Sequence, residues 1–80
     1  MTINNFVASE ALDEQTLGMW QGFLSNAGSE AMEDLDSIVQ GSKERFFDLS
    51  SLLLAKMQYI QTGNPGLFDG IRLLTAKLGI

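Results

Sequence analysis

The chain has 80 residues, a formal net charge of −5, and neither cysteine nor histidine. Without these residue types it can form no disulfide and none of the common zinc and iron ligand sets that often stabilise small proteins. A chain of this size forms a single domain, residues 1–80, that buries only about 60% of its unfolded surface. We therefore expect association with another chain to add to its stability.

The N-terminal part is predicted to consist of an arm and one short helix. Residues 1–8 show no periodic apolar pattern, and we interpret them as an arm that is flexible or ordered by a partner. Ser9 is a suitable N-cap for a helix over residues 10–25, which begins with acidic residues. The apolar residues of this helix follow helical spacing: Leu12, Leu17, Trp20, Phe23 and Leu24. Trp20 and Gly22 resemble the Trp-x-Gly turn of the WXG family of small helical hairpins, but we favour core packing for Trp20.

A long central helix is predicted over about residues 30–61. Gly28 suits a helix end, and Ser29 can cap the helix that follows. The seam positions of this helix alternate steps of three and four: Met32, Leu35, Val39, Ser42, Phe46, Leu49, Leu53 and Ile60. Gly41 and Ser42 leave open a division into residues 30–40 and 42–61. An unbroken helix would be about 48 Å long, which is too long to bury its side within an 80-residue monomer.

The sequence Thr-Gly-Asn-Pro at residues 62–65 marks the clearest boundary in the chain. Asn64 is a suitable N-cap and Pro65 is favoured at the first helical position, so a last helix is predicted over residues 65–78. No stretch alternates apolar and polar residues over the length of a strand. The predicted fold class is all-α: a helical hairpin or small bundle with one long central helix, a shorter N-terminal helix and a C-terminal helix after Pro65.

Residues 46–60, FFDLSSLLLAKMQYI, carry more apolar side chains than one face of a helix can hold. The first and last helices could cover this segment from two sides, which would place it in the core. We favour instead a contact with other chains, because two short helices with narrow apolar stripes supply little cover. The predicted interaction residues are Phe46, Phe47, Leu52, Leu53, Leu54, Met57, Tyr59, Ile71, Leu74 and Leu78.

The two halves of the chain differ in charge. Residues 1–40 contain seven acidic residues and no Lys or Arg, whereas residues 41–80 contain five basic and three acidic residues. The acidic front half of one copy could therefore meet the basic rear half of the next. Nucleic-acid binding is disfavoured, because five scattered bases do not form the clustered basic surface that phosphate neutralisation requires.

No pattern in the sequence points to catalysis. The chain has no histidine or cysteine and no glycine-rich phosphate loop, and its acid pairs lie at predicted helix starts, where the helix dipole explains them. We predict no enzyme activity, no cofactor and no metal site. Neither a classical signal peptide nor a transmembrane segment is recognisable, so we expect a cytoplasmic protein or export by a non-classical route.

The segment FFDLSSLLLAKMQYIQTG and the helix after it resemble the C-terminal region of needle and inner-rod subunits of bacterial type III secretion systems. In that family, chains of comparable size form helical hairpins that stack into a hollow filament through an apolar C-terminal helix. The resemblance covers less than half of the chain and implies a structural subunit of a secretion apparatus. The residues that carry it are Leu52, Leu53, Leu54, Met57, Gln58, Tyr59, Gln61, Ile71, Leu74 and Leu78.

Three functional interpretations follow from the sequence. The first is a subunit that self-associates through apolar helical surfaces into a filament, a ring or a larger complex. The second is a small acidic adaptor, chaperone or inhibitor that binds one protein partner by helix-in-groove contacts. In the third, the last helix lies on a membrane surface, but its two basic residues are few for contact with an anionic surface.

Overall fold

The computed structural model describes residues 2–80, and these residues form helices and connecting turns without any strand. The helices are α1 (Ile3–Ser9), α2 (Glu14–Asn26), α3 (Ser29–Val39), α4 (Lys43–Thr62) and α5 (Phe68–Leu78), with a 3-10 turn (Pro65–Leu67) directly before α5. The predicted all-α class is confirmed. The architecture is a small bundle, and α4 is its long helix.

The predicted helix over residues 30–61 is divided in two. Gln40 and Gly41 both adopt left-handed backbone conformations, with φ of 54° and 67°, which reverses the chain after α3. Ser42 then caps α4, because its side chain accepts a hydrogen bond from the backbone N–H of Arg45. The alternative division at Gly41 is therefore correct and the continuous helix is wrong. At 20 residues α4 is about 30 Å long, close to the 33 Å long axis of the molecule.

The predicted C-terminal helix is confirmed, together with its cap. The side chain of Asn64 accepts a hydrogen bond from the N–H of Gly66 at 2.9 Å, and Pro65 opens the 3-10 turn that leads into α5. The preceding helix α4 ends at Thr62 and is capped by Gly63, whose φ of 65° favours a residue without a side chain.

The N-terminal segment is helical, whereas the sequence predicted an arm without regular structure. Residues Ile3–Ser9 form α1, whose Ile3 and Phe6 lie in the core. The backbone N–H of Ile3 donates to Asp36 Oδ1 at 2.8 Å, so a carboxylate of α3 lies at the positive end of the α1 dipole. A helix of two turns is too short for its periodicity to be recognised. Met1, the first residue of the predicted arm, lies outside the described residues.

The predicted start of the next helix is also wrong. Ser9 ends α1, and α2 begins at Glu14 after Asp13, whose side chain accepts hydrogen bonds from the hydroxyl and the backbone N–H of Thr16. Trp20 and Gly22 lie inside α2, so no Trp-x-Gly turn forms. Trp20 is fully buried, as the core interpretation predicted.

Three stacked aromatic rings form the centre of the core. Phe46 of α4 lies between Phe6 of α1 at 5.0 Å and Trp20 of α2 at 5.5 Å, with nearly parallel ring planes. The indole Nε1–H of Trp20 donates to Ser50 Oγ at 2.8 Å, and this hydroxyl donates in turn to the carbonyl of Phe46. The stack and its hydrogen bonds thus join α1, α2 and the first half of α4.

Two basic side chains fasten α5 to the bundle. The guanidinium of Arg45 donates to the carbonyl of Ile38 at 2.6 Å and to that of Leu78 at 2.8 Å, at the negative ends of α3 and α5. Lys77 forms ion pairs with Asp48 at 3.0 Å and Glu44 at 3.4 Å. The hydrogen bond and charge of Asp48 raise the pKa of Lys77, with a smaller contribution from Glu44.

Replacing Phe46 by alanine should test the aromatic stack. Because Phe46 is fully buried, we expect Phe46→Ala to lower the free energy of unfolding by about 3–5 kcal/mol. The neighbouring Phe47 is 38% exposed, and Phe47→Ala should cost about 1 kcal/mol or less. Urea unfolding of both variants measures the difference. Equal losses would show that the stack does not organise the core.

The Asp13 cap should make α2 sensitive to acid. The hydrogen bond from the Thr16 hydroxyl holds the pKa of Asp13 below its ordinary value of 3.8. The ionised cap therefore stabilises the fold above the unfolded pKa, and this contribution is lost as the pH falls through the lower folded pKa. Asp13→Asn keeps a capping oxygen but does not titrate.

The unfolding temperature of the wild type relative to Asp13→Asn should accordingly fall between about pH 5 and pH 2. Thermal unfolding followed by circular dichroism measures this difference. A difference that stays constant with pH would contradict the proposed charge-assisted cap.

Candidate interaction surface

The apolar stripe of α4 extends beyond the part that the bundle covers. All buried residues of α4 lie between Phe46 and Leu52. Leu49, Leu53 and Met57 are spaced by four residues, and Ile60 follows Leu53 by seven, so these side chains share one face of the helix. Burial decreases along this face until Ile60 is 82% exposed. The apolar stripe that faces the core in the first half of α4 is therefore exposed to solvent at the C-terminal end of the helix.

An open apolar groove lies beside this uncovered end, and we call it the α2–α4 groove. Its volume is about 460 Å³, within the range of ligand and peptide sites. It runs between α2, the start of α3 and Met57 of α4. The residues that line it are Gly18, Met19, Gly22, Phe23, Asn26, Ala27, Ala31 and Met57.

The chemistry of the α2–α4 groove suits an apolar ligand. No charged side chain lines it, and its one polar side chain, Asn26, donates to the carbonyl of Gly22 at 2.9 Å. Small-molecule sites usually add several convergent polar groups that fix orientation, and such groups are lacking along this lining. A Cβ added at Gly18 or Gly22 would meet no atom within 4 Å, so the space directly above these glycines is open.

A second apolar surface lies on the side of α5 that points away from the bundle. Phe68, Arg72 and Ala76 are spaced by four residues, with Leu73 beside them and Ile80 just beyond the helix end. We call these five residues the α5 outer face. Leu73 is 67% exposed, and Phe68 and Ile80 are each more than half exposed. A shallow groove of about 420 Å³ lies at the flank of this face and is lined by Phe68, Ile71, Arg72, Thr75, Ala76 and Ile80, but not by Leu73.

The predicted interaction residues divide into three groups. Phe46, Leu52 and Leu78 are buried in the core, so they are removed from the interaction surface. Leu53, Leu54, Ile71 and Leu74 are half-buried against that core, and Tyr59 is half-buried with its ring edge-on to Phe68 at 6.0 Å. Phe47 and Met57 are exposed. Phe47 and Leu54 line a separate small depression of about 170 Å³, away from the α2–α4 groove.

Four exposed apolar residues were missed by the sequence prediction: Ile60, Phe68, Leu73 and Ile80. The sequence pattern did point to Ile60, because this residue occupies the last position of the predicted apolar seam. Phe68 and Leu73 lie off the stripe that packs against α4, and an apolar residue off the stripe gives no sequence signal of its own. The exposed surface is therefore displaced toward α5 relative to the prediction.

Charge is distributed unevenly around these two surfaces. On α3, Glu30, Glu33 and Asp34 are exposed and form no ion pair within residues 2–80. On α5, Arg72 lies 3.4 Å from Asp69, and this pair is well exposed and thus weak. The α2–α4 groove therefore borders both the acidic start of α3 and Lys56, which precedes Met57, whereas the base of the α5 outer face is paired with an acid.

Residues 2–80 contain neither a metal-binding cluster nor a membrane-spanning helix. This part of the chain contains no group of three acidic side chains close enough to hold a metal ion. None of its helices combines the length and hydropathy that a membrane span requires.

No family model, curated protein or solved structure matches the chain. Its function must therefore be inferred from the apolar and charged surfaces described above.

Proposed function

We propose that this protein is a non-enzymatic structural subunit that associates with copies of itself through the end of α4 and the outer face of α5. The observation that carries the proposal is the exposure of Met57, Ile60, Phe68, Leu73 and Ile80. Scattered apolar residues are normal on protein surfaces, but Met57 and Ile60 extend the core stripe of α4, and Phe68 and Ile80 line one groove, which favours an interaction surface.

The energetics favour an assembly that depends on concentration. Full burial of a Leu, Ile, Phe or Met side chain contributes about 1.5–3 kcal/mol. Because these five side chains are already partly covered, roughly 1–2 kcal/mol remains for each, or about 5–10 kcal/mol together. Association costs about 4–15 kcal/mol in lost freedom. Gain and cost are of similar size, so loss of one or two of these side chains should be enough to prevent assembly.

The likeness of α4 and α5 to type III needle and inner-rod subunits supports a specific form of this proposal, a filament subunit of a secretion apparatus. Met57 and Tyr59 of α4 and Ile71 and Leu74 of α5 belong to both the resemblance and the region of partial exposure. The family implies a hairpin, whereas residues 2–80 form a bundle of short helices around α4. A filament of this chain would accordingly be built from bundles, or would require the bundle to open.

The exposed acids of α3 favour a second candidate function, an acidic adaptor or inhibitor of a basic protein partner. Glu30, Glu33 and Asp34 face solvent on one helix and form no ion pair within the described residues. Such a surface would steer a basic partner by long-range attraction. This candidate predicts a small closed oligomer and a tight complex with another protein, whereas a self-assembling subunit grows without one.

Charges placed on the exposed end of α4 should test the self-association. We expect the double change Met57→Glu and Ile60→Glu to abolish assembly and to leave the helical circular dichroism and unfolding temperature nearly unchanged, because neither side chain is in the core. Gln58→Glu is the matched control, since it adds a charge to the same exposed turn but outside the stripe. Sedimentation velocity over a concentration series measures the effect.

The wild type should sediment as larger species as its concentration rises, and the Gln58→Glu control should follow it. A folded wild-type chain that stays strictly monomeric at high micromolar concentration would overturn the proposed function.

A further inference from the structure

We propose that two copies of the chain exchange α5, so that α5 of each copy packs on α4 of the other. The contacts that α5 makes with its own α4 then form between two chains. This inference goes beyond the proposed function, because it uses the inner face of α5 and not the exposed surface at the end of α4. The inner face consists of Ile71, Leu74 and Leu78, which pack against the core.

Helix α5 is a separable part of the bundle. It packs chiefly against α4, with which it forms an antiparallel hairpin. Phe68 at its start lies against Tyr59 near the end of α4, and Lys77 at its end pairs with Asp48 and Glu44 near the start of α4. Only one of its 11 residues is buried. A helix that packs on one neighbour and buries little opens locally at a low cost in free energy.

The connection between α4 and α5 can change course without breaking contacts to the other helices. Residues 63–66 are exposed. Their hydrogen bonds are local: the N–H of Gly63 donates to the carbonyl of Tyr59, and that of Gly66 donates to the side chain of Asn64. A change of backbone direction at Gly63 and Asn64 therefore breaks no hydrogen bond with α1, α2 or α3 among the described residues.

The polar contacts of α5 identify α4 of another copy as its alternative site. Within residues 2–80, every hydrogen bond or ion pair from α5 to another helix involves its last two residues. The ammonium of Lys77 lies 3.0 Å from Asp48 and 3.4 Å from Glu44. The carbonyl of Leu78 accepts a hydrogen bond from Arg45 at 2.8 Å. These contacts fix the register of α5, and α4 of a second copy offers the same partners.

Exposed apolar residues beside the connection favour the exchanged form. Ile60 and Phe68 flank residues 61–67 and are 82% and 56% exposed in the single chain. In a reciprocal exchange the two chains cross at their connections, next to the two-fold axis of the dimer. These side chains therefore come close to their counterparts, and their burial there stabilises the dimer beyond the contacts of the single chain.

Proximity favours the single chain instead. A short connection holds α5 beside its own α4 at an effective concentration on the order of millimolar. Exchange between wild-type copies is therefore a minor process at micromolar concentration. Charges that repel α5 from its own α4 and attract it to α4 of another copy should make exchange the major process.

Charge reversal on the two sides of the α4–α5 contact provides this test. Lys77→Glu places a third carboxylate beside Asp48 and Glu44. The double change Glu44→Lys and Asp48→Lys places two ammonium groups beside Lys77 instead. Each variant alone repels its own α5, whereas in a mixture α5 of either variant meets opposite charges on α4 of the other. Both variants remain net negative, because the changes alter the formal charge of −5 by −2 and +4, so net charge does not draw them together.

The chain that carries all three changes is the matched control. Its charges are again complementary within one molecule, so it should stay monomeric and protect α5 like the wild type. Because the side chain of Asp48 is only 18% exposed, Glu44→Lys alone provides a second partner variant at a side chain that is 76% exposed. With Lys77→Glu it should form the same 1:1 dimer more weakly.

Light scattering and amide hydrogen exchange, followed by NMR with one variant labelled at a time, measure the outcome. In each variant alone the amides of α5 should exchange about tenfold faster than in the wild type, because like charges favour local opening. An equimolar mixture at about 0.1 mM, below the effective concentration within one chain, should form a 1:1 dimer. In this dimer the amides of α5 should regain the protection that they have in the wild type.

Two results would overturn the exchange. One is a mixture that stays monomeric although the control with all three changes is folded. The other is a complex in which α5 stays unprotected, because contact between surfaces without exchange leaves each α5 beside like charges. Neither result affects the proposed function, since Met57 and Ile60 are unchanged in every variant. A strictly monomeric wild type together with a 1:1 dimer in the mixture would overturn the proposed function and support the exchange.

Discussion

The fold depends on the position of Phe46 between the rings of Phe6 and Trp20. This stack lies in the second turn of α4, and the Trp20–Ser50 hydrogen bond fixes α2 against the same part of the helix. Arg45, one residue before the stack, holds the ends of α3 and α5 by their carbonyls. The strongest directional contacts of the molecule are therefore concentrated at one end of its longest helix.

This concentration leaves α4 unevenly covered. The helix has 20 residues, whereas the helices around it have 7 to 13, and beyond Leu52 it buries no side chain completely. The stripe that packs against the stack continues through Met57 to Ile60, which is 82% exposed. The apolar surface proposed to bind another copy is thus an extension of the core, and the α2–α4 groove opens where this extension begins.

The sequence predicted those features that depend on local chemistry. The cap at Asn64 and Pro65 follows from backbone preferences that neighbouring residues set, and so does the break at Gly41 and Ser42, which the sequence left open as an alternative to a continuous helix. It did not predict α1, because that helix is held by contacts distant in sequence, such as the one from Ile3 to Asp36. The sequence showed that α4 has a surplus of apolar residues. It did not show which of them lie in the core and which are exposed. Whether Phe46 or Ile60 faces solvent depends on where the neighbouring helices end, which periodicity alone does not reveal.

The central claim, that the uncovered end of α4 joins one molecule to another, can be tested most directly by methyl NMR spectra of the wild type from low micromolar to millimolar concentration. The account predicts that the methyl signals of Met57 and Ile60 shift or broaden as concentration rises, while those of the buried Ile3 and Leu49 keep their positions. Spectra in which the Met57 and Ile60 signals are unchanged over the whole range would contradict it.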